Sequence, residues 1–198
     1  MELKRRTQSE RSAATRGALV AAGRRLFAER GYAAVGTPEV AAAAGVTRGA
    51  LYHQFADKSD LFLAVYEQVE EDVTRRIGEI VAAAGARDPL AALTTGAEAF
   101  LDAVADPEVH RIALLEAPAV LGWDTWRAVG LKHGLGLTEA ILRAAMDAGR
   151  ITEQPTRPLA HVLLGALDEA ALYVARAEDP AVAREEMRAA LTGILRGL

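Results

Sequence analysis

The chain has 198 residues, a formal net charge of −4, 51% hydrophobic residues and no Cys. That length allows one or two small domains with a real core, and the apolar half excludes disorder. The absence of Cys excludes a disulfide scaffold, thiolate metal sites and a Cys nucleophile, and Ser occurs only as Ser9, Ser12 and Ser59, all near one end.

The net charge hides a split. Residues 1–60 hold 10 Lys and Arg against 6 Asp and Glu, a net of +4, whereas residues 61–198 carry −8. A basic head on an acidic body suggests a head that meets a polyanion, although a solvated basic terminus has the same charge. Residues 1–11 are polar and basic, without the apolar segment of a targeting signal. Charge-free apolar stretches such as 159–167 fall short of the ~20 residues a membrane span needs. These features predict a cytoplasmic protein without a membrane partner.

Helix formers dominate, and no window of five or more residues alternates as a strand would. The expected class is all-α. The first should run from about Ser12 to Arg30, with Leu19, Ala22, Leu26 and Phe27 in one apolar stripe and Gly31 as its stop. Residues 1–12 are expected to form a flexible basic arm. Arg5, Arg6 and Arg11 on it could enter a minor groove or stay solvated.

The next helix has Thr37 as expected cap, Pro38 in its first turn and Gly45 at its end. Thr47 then caps Arg48 to Gln54, and Asp57 caps a long helix beginning at Lys58. Residues 36–55 therefore read as helix, glycine turn, helix, locked by Val40, Ala41, Val46, Ala50 and Leu51. The second helix carries Arg48, Tyr52, His53 and Gln54, side chains that reach phosphates or base edges. Phe55 reads as a core aromatic. Thr37 and Lys58 stand at helix starts, where free N–H groups attract phosphate. Gly49 lets backbone approach DNA closely, and Arg48 is the clear bidentate reader for guanine.

Beyond residue 62 the expected helices are about 58–84, 88–105, 107–115, 117–121, 123–148, 158–178 and 180–196. In the last two, Leu159, Leu163, Ala166, Ala170, Tyr173 and Ala177 form one stripe, and Met187, Ala190, Leu191, Ile194 and Leu198 another. Such stripes can pack on a twin pair across a two-fold axis or feed the subunit's own core. Polar and aromatic residues on apolar helices are ligand candidates: Trp123, Trp126, His133 and Asp168 above all, with His110, Glu116, His161 and Glu169 behind them. Asp168 interrupts an apolar run and could point into a cavity with a shifted pKa. The four His lack ligand spacing, and no Glu-x-x-His pair, P-loop or nucleophile elbow is present, so neither an enzyme nor a metal or other cofactor is expected.

The segments Leu26-Phe27-Ala28-Glu29-Arg30-Gly31-Tyr32, Thr37-Pro38-Glu39-Val40-Ala41, Ala44 to Phe55 and Asp57 to Phe62 resemble the N-terminal DNA-binding domain of the TetR family of bacterial transcriptional regulators. The resemblance covers about residues 13–62, leaving 63–198 as the ligand-binding and dimerisation domain. It implies about nine helices, a homodimer through the last two of them (158–178 and 180–196), two heads on a palindromic double-stranded DNA operator, and a small-molecule inducer. By position it implies DNA contacts for Thr37, Thr47, Arg48, Gly49, Tyr52, His53 and Lys58. Gly23 replaces a usual Ala at an expected cost of roughly 0.5–1 kcal/mol, and Gly36 a frequent Thr. The expected function is a repressor released by an apolar or aromatic inducer. An activator, or a helical binding protein without DNA activity, is the alternative.

Overall fold

The computed structural model describes residues 8–84 and 88–198. Among them there is no strand, and nine helical runs account for the fold. Helix α1 spans Gln8–Arg30, α2 Thr37–Ala43, α3 Arg48–Gln54, α4 Lys58–Ala83 and α5 Pro89–Val104. Next comes one unbroken run of three parts: α6 (Pro107–Val109), a π-helical turn (His110–Glu116) and α7 (Ala117–Leu121). Helices α8 (Trp123–Asp147), α9 (Thr156–Arg176) and α10 (Pro180–Arg196) complete the chain.

Local chemistry sets most boundaries. Asp57, Asp88, Asp106 and Asp179 each cap the following helix with a carboxylate, and Pro89, Pro107 and Pro180 occupy first-turn positions. Gly31 ends α1 at φ +82, and Gly45 ends α2 at φ +68. Both are left-handed positions that favour glycine. Two expectations need correction. Helix α1 already includes Gln8, the first described residue, so residues 8–12 are helical rather than part of an arm; Arg5 and Arg6 lie outside the described residues. Thr37 is not the cap of α2. Gly36 holds that place, without a side-chain cap, and the Thr37 hydroxyl turns to Tyr52 instead.

Helices α1–α3 form a three-helix head whose centre is aromatic. Phe27 and Phe62 are fully buried, 5.3 Å apart edge-to-face, and Tyr32 packs on both at 5.8 and 5.1 Å. Burying each such ring stabilises by about 1.5–3 kcal/mol. Gly23 is explained by space: a Cβ there would meet Val65 at 3.3 Å, so the missing methyl lets α1 and α4 cross closely.

Helix α4 runs without a break through residue 62, so head and body share it. One core cluster follows it, from Leu19, Leu51 and Phe55 in the head to Ile112, Trp126 and Leu172 in the body. A second, distal cluster gathers Leu135, Leu142, Ala160, Leu163 and Leu195.

Polar contacts tie the π-turn run to the end of α1. The Arg24 guanidinium bridges Glu108 at 2.6 and 2.8 Å and Asp72 at 2.5 Å. Glu116 accepts the Tyr32 backbone N–H at 2.5 Å, and Arg111 donates to the Glu29 carbonyl at 2.9 Å.

The stripes on the last two helices divide. Leu163, Ala170 and Leu191 are buried in the subunit's own core. Tyr173 and Ile194 of the stripes lie outward instead, with Val162 (67% exposed) and Val182, which belong to neither stripe, beside them. Helix α9 is long and apolar enough to cross a membrane by length and composition alone, a test that core helices also pass. It carries Asp168 and Glu169 at mid-length and packs against α8, α10 and α5.

Gly31→Ala should therefore destabilise the chain by about 1–3 kcal/mol in urea melts, because φ is positive and strains any side chain. The added methyl would also stand 2.5 Å from a Glu116 carboxylate oxygen.

Candidate nucleic-acid interface and internal cavity

Helix α3 is fixed from behind and open in front. Leu51 is fully buried beneath it, and the Thr47 hydroxyl caps it by accepting the Ala50 N–H at 3.1 Å. Arg48, Gly49, Tyr52 and His53 are exposed on the outer face. The Tyr52 hydroxyl lies 3.0 Å from that of Thr37, which joins the first turn of α2 to the middle of α3. The Arg48 guanidinium sits 5.5 Å from the Tyr52 ring centre. The Thr37 hydrogen bond, then Arg48, hold the Tyr52 phenol below its ordinary range. Gln54 faces inward, donating to the Ser12 hydroxyl at 2.9 Å while its carbonyl accepts from Arg16. Phe55 is buried, with the Arg16 guanidinium 4.3 Å over its ring.

The start of α4 is capped at one point: Asp57 accepts the Asp60 N–H at 2.8 Å, and Asp60 accepts from Ala56, just before the helix, at 3.0 Å. A phosphate there would meet the Lys58 ammonium beside this partly capped helix end. That ammonium rests 4.0 Å over the Tyr32 ring. The structure thus gathers Thr37, Thr47, Arg48, Gly49, Tyr52, His53 and Lys58 around α3, with Thr37 alone buried.

The body holds a cavity of about 100 Å³ between α4, α5, α8, α9 and α10. Its walls are mostly aliphatic, with Phe100 as aromatic wall; Gly96, Gly130 and Gly134 also line it, and a Cβ would meet open space at Gly130 but Leu164 at 3.2 Å at Gly134. Glu70, Thr74, Arg127, Thr138 and Asp168 supply the polar points. A smaller cavity of about 20 Å³ adjoins it through Glu70, Arg127, Gly130 and Asp168, and reaches Trp126 and the π-turn residues Ala113 and Leu114.

Electrostatics within are unusual. Arg127 pairs with Asp168 and also donates to the His161 carbonyl at 3.2 Å. Burial outweighs this pairing, and Asp168 is pushed up to about 6. Glu70 is half-buried, and desolvation of its carboxyl pushes it up to about 7; the Tyr66 hydroxyl is its hydrogen-bonding neighbour. Tyr66 itself donates to the Trp126 carbonyl at 3.1 Å, and burial raises its phenol far above the ordinary range.

Of the sequence candidates, Asp168 lines both cavities and Trp126 lines the smaller one, its indole N–H donating to the Ala113 carbonyl at 2.8 Å. Trp123 and His133 line neither. Trp123 is 57% exposed, its ring tilted against Trp126 with centres 4.7 Å apart, because it starts α8 where the helix leaves the core. His133 is half-buried on another face of α8, with its Nε2 unpartnered. Sequence reasoning missed Glu70 and Arg127. A signal for Glu70 existed: it falls in register with Tyr66, Val73 and Ile77, a charge on the buried stripe of α4.

Comparisons agree with this arrangement over the whole chain. Residues 19–65 match the family model described as bacterial regulatory proteins, tetR family, and residues 90–198 match the tetracyclin repressor-like C-terminal domain. The transposon Tn10 TetC protein of Escherichia coli is 27% identical over 191 residues, covering 96% of this chain and 95% of that one. The transcriptional repressor AcnR of Corynebacterium glutamicum is 32% identical over 152 residues, 73% of each. A crystal structure of a TetR-family transcriptional regulator from Pectobacterium atrosepticum superposes with a TM-score of 0.84 at 35% identity, covering 98% and 97% of the two chains. The structure of RolR with resorcinol shares the fold, with a TM-score of 0.75 at 19% identity and 96% and 95% coverage. The chain belongs to the TetR family of bacterial transcriptional regulators.

Proposed function

We propose that the protein is a repressor that binds a palindromic operator as a homodimer and leaves it when a small apolar or aromatic molecule fills the cavity. The observation that carries the first half is the outer face of α3. Its inner side is anchored by Leu51, while Arg48, Gly49, Tyr52 and His53 stay exposed beside Lys58. Arg48 reads guanine, Gly49 permits close approach, and Thr47, Tyr52, His53 and Lys58 meet phosphates. Thr37 acts through its bond to Tyr52 as much as on phosphate. The acidic body keeps the remaining surface off the DNA.

The exposed faces of α9 and α10, with Val162, Tyr173, Val182 and Ile194, support pairing with a second copy. Pairing would set two α3 helices one groove repeat apart, about 34–36 Å. Release would come through α4. Glu70 and Val73 on it touch the cavity, and Lys58 stands about 18 Å away along the same helix axis. The π-turn gives a second path, from Ala113 and Leu114 at the small cavity to Glu116 at the end of α1. A ligand that favours one tilt of α4 shifts the population toward heads that no longer match the groove repeat. That RolR was crystallised with resorcinol is consistent with a small aromatic occupant on this fold.

Electrophoretic shift of the DNA upstream of the protein's own gene tests this reading; a shift that ignores sequence and salt would refute it. Lys58→Ala should weaken binding to all sequences alike and flatten the salt slope by about one. Arg48→Ala should relax base preference and cost about 1–3 kcal/mol on the operator. If sequence preference survives, Arg48 is not a reader. Gly130→Val fills the cavity from a position where a Cβ meets nothing within 4 Å. It should still shift operator DNA yet resist release by aromatic small molecules, as fluorescence anisotropy would show.

A further inference from the structure

We infer that the cavity takes a ligand with an apolar, ring-sized body and a protonated amine seated between Glu70 and Asp168. This rests on the reading of the cavity as the inducer site and adds the charge of the inducer. The argument is a charge balance inside an apolar enclosure. Among the described residues Arg127 is the one cation on the cavity wall, and it is engaged by Asp168 and the His161 carbonyl. Glu70 shares only the Tyr66 hydroxyl, which already serves the Trp126 carbonyl, and no cation pairs with it among the described residues. Two carboxyl groups therefore face one guanidinium across a space of about 100 Å³. A space of that order holds roughly one ring.

An ammonium in that space completes the balance and gives Glu70 the counter-charge the fold withholds. A carboxylate ligand would have to displace Asp168 from Arg127 and sit against Glu70. A neutral hydroxyl can hydrogen-bond but leaves Glu70 without a counter-charge. The groups facing Glu70 are Tyr66 on its own helix, Arg127 from α8 and Asp168 from α9; α5, the π-turn and α10 present uncharged side chains, and α1 and α7 do not reach the cavity. Burial makes Glu70 titrate near 7. Below that value a proton holds the place the amine needs, so amine affinity should rise with pH through this range.

Titration calorimetry on the full-length protein with phenethylamine, phenethyl alcohol and phenylacetate separates these cases. At about pH 8 the amine should bind at least about tenfold tighter than the alcohol, with the acid weakest. The preference should shrink toward about pH 6, and Glu70→Gln should erase both the preference and its pH dependence. An amine no tighter than the alcohol, a preferred acid, or an amine preference that survives Glu70→Gln overturns the proposal. Anisotropy with labelled operator DNA keeps the two readings apart. Amine binding of the expected pattern that leaves the operator complex intact upholds the cavity chemistry and removes its role as inducer site.

Discussion

Helix α4 has to satisfy two cores at once. Its first turns bury Leu61 and Phe62 in the head, and its middle buries Tyr66, Val69 and Val73 in the body. A helix with a continuous apolar stripe is stiff on the scale of its own length, so neither unit can tilt without dragging the other. The orientation of α3, the shape of the cavity and the position of Lys58 all depend on that shared stripe. The Arg24 bridge to Asp72 and Glu108 and the Glu116 contact at Tyr32 reinforce it from the side.

The interior of the body is arranged against its own stability. A fold that wanted only a core would fill the space at Gly130 and put an aliphatic residue at position 70. Instead small residues hold a cavity open, and a carboxyl is desolvated at its wall. Such unfavourable features are characteristic of sites where binding energy is meant to be recovered from a ligand. The cavity also sits between the proximal and distal core clusters, where occupation can separate or draw together packed layers.

The reading face combines rigidity below with freedom above. Leu51 and Phe55 anchor α3, and the Thr47 cap fixes its start. The bond between Thr37 and Tyr52 holds α2 against α3, so the angle of the helix-turn-helix is set by a polar contact on the outer face as well as by its core. Arg48, resting against the Tyr52 ring, and His53 are exposed on that face, and in the proposed reading they adapt to a base edge or a phosphate.

Local chemistry was legible in the sequence because it is local. Asp57 and Thr47 as caps, Gly31 and Gly45 as stops, and the stripe Leu19–Phe27 depend on residues within a turn or two, and the structure agrees with each. The dense motif across residues 13–62 made the head and its exposed residues readable in the same way. Contacts between distant segments were not. Thr37 looked like a cap until Tyr52 claimed its hydroxyl, and Gly23 looked like a cost until α4 crossed beside it. Trp123 and Trp126 are three residues apart on one helix, yet one faces solvent and the other the core. Glu70 and Arg127 stand 57 positions apart, and only the packing of α4 against α8, and of α8 against α9, turns them, with Asp168, into one charged corner of a cavity. Sequence periodicity says which face of a helix is apolar, but a cavity is defined by what several helices jointly fail to fill, and that is decided in three dimensions.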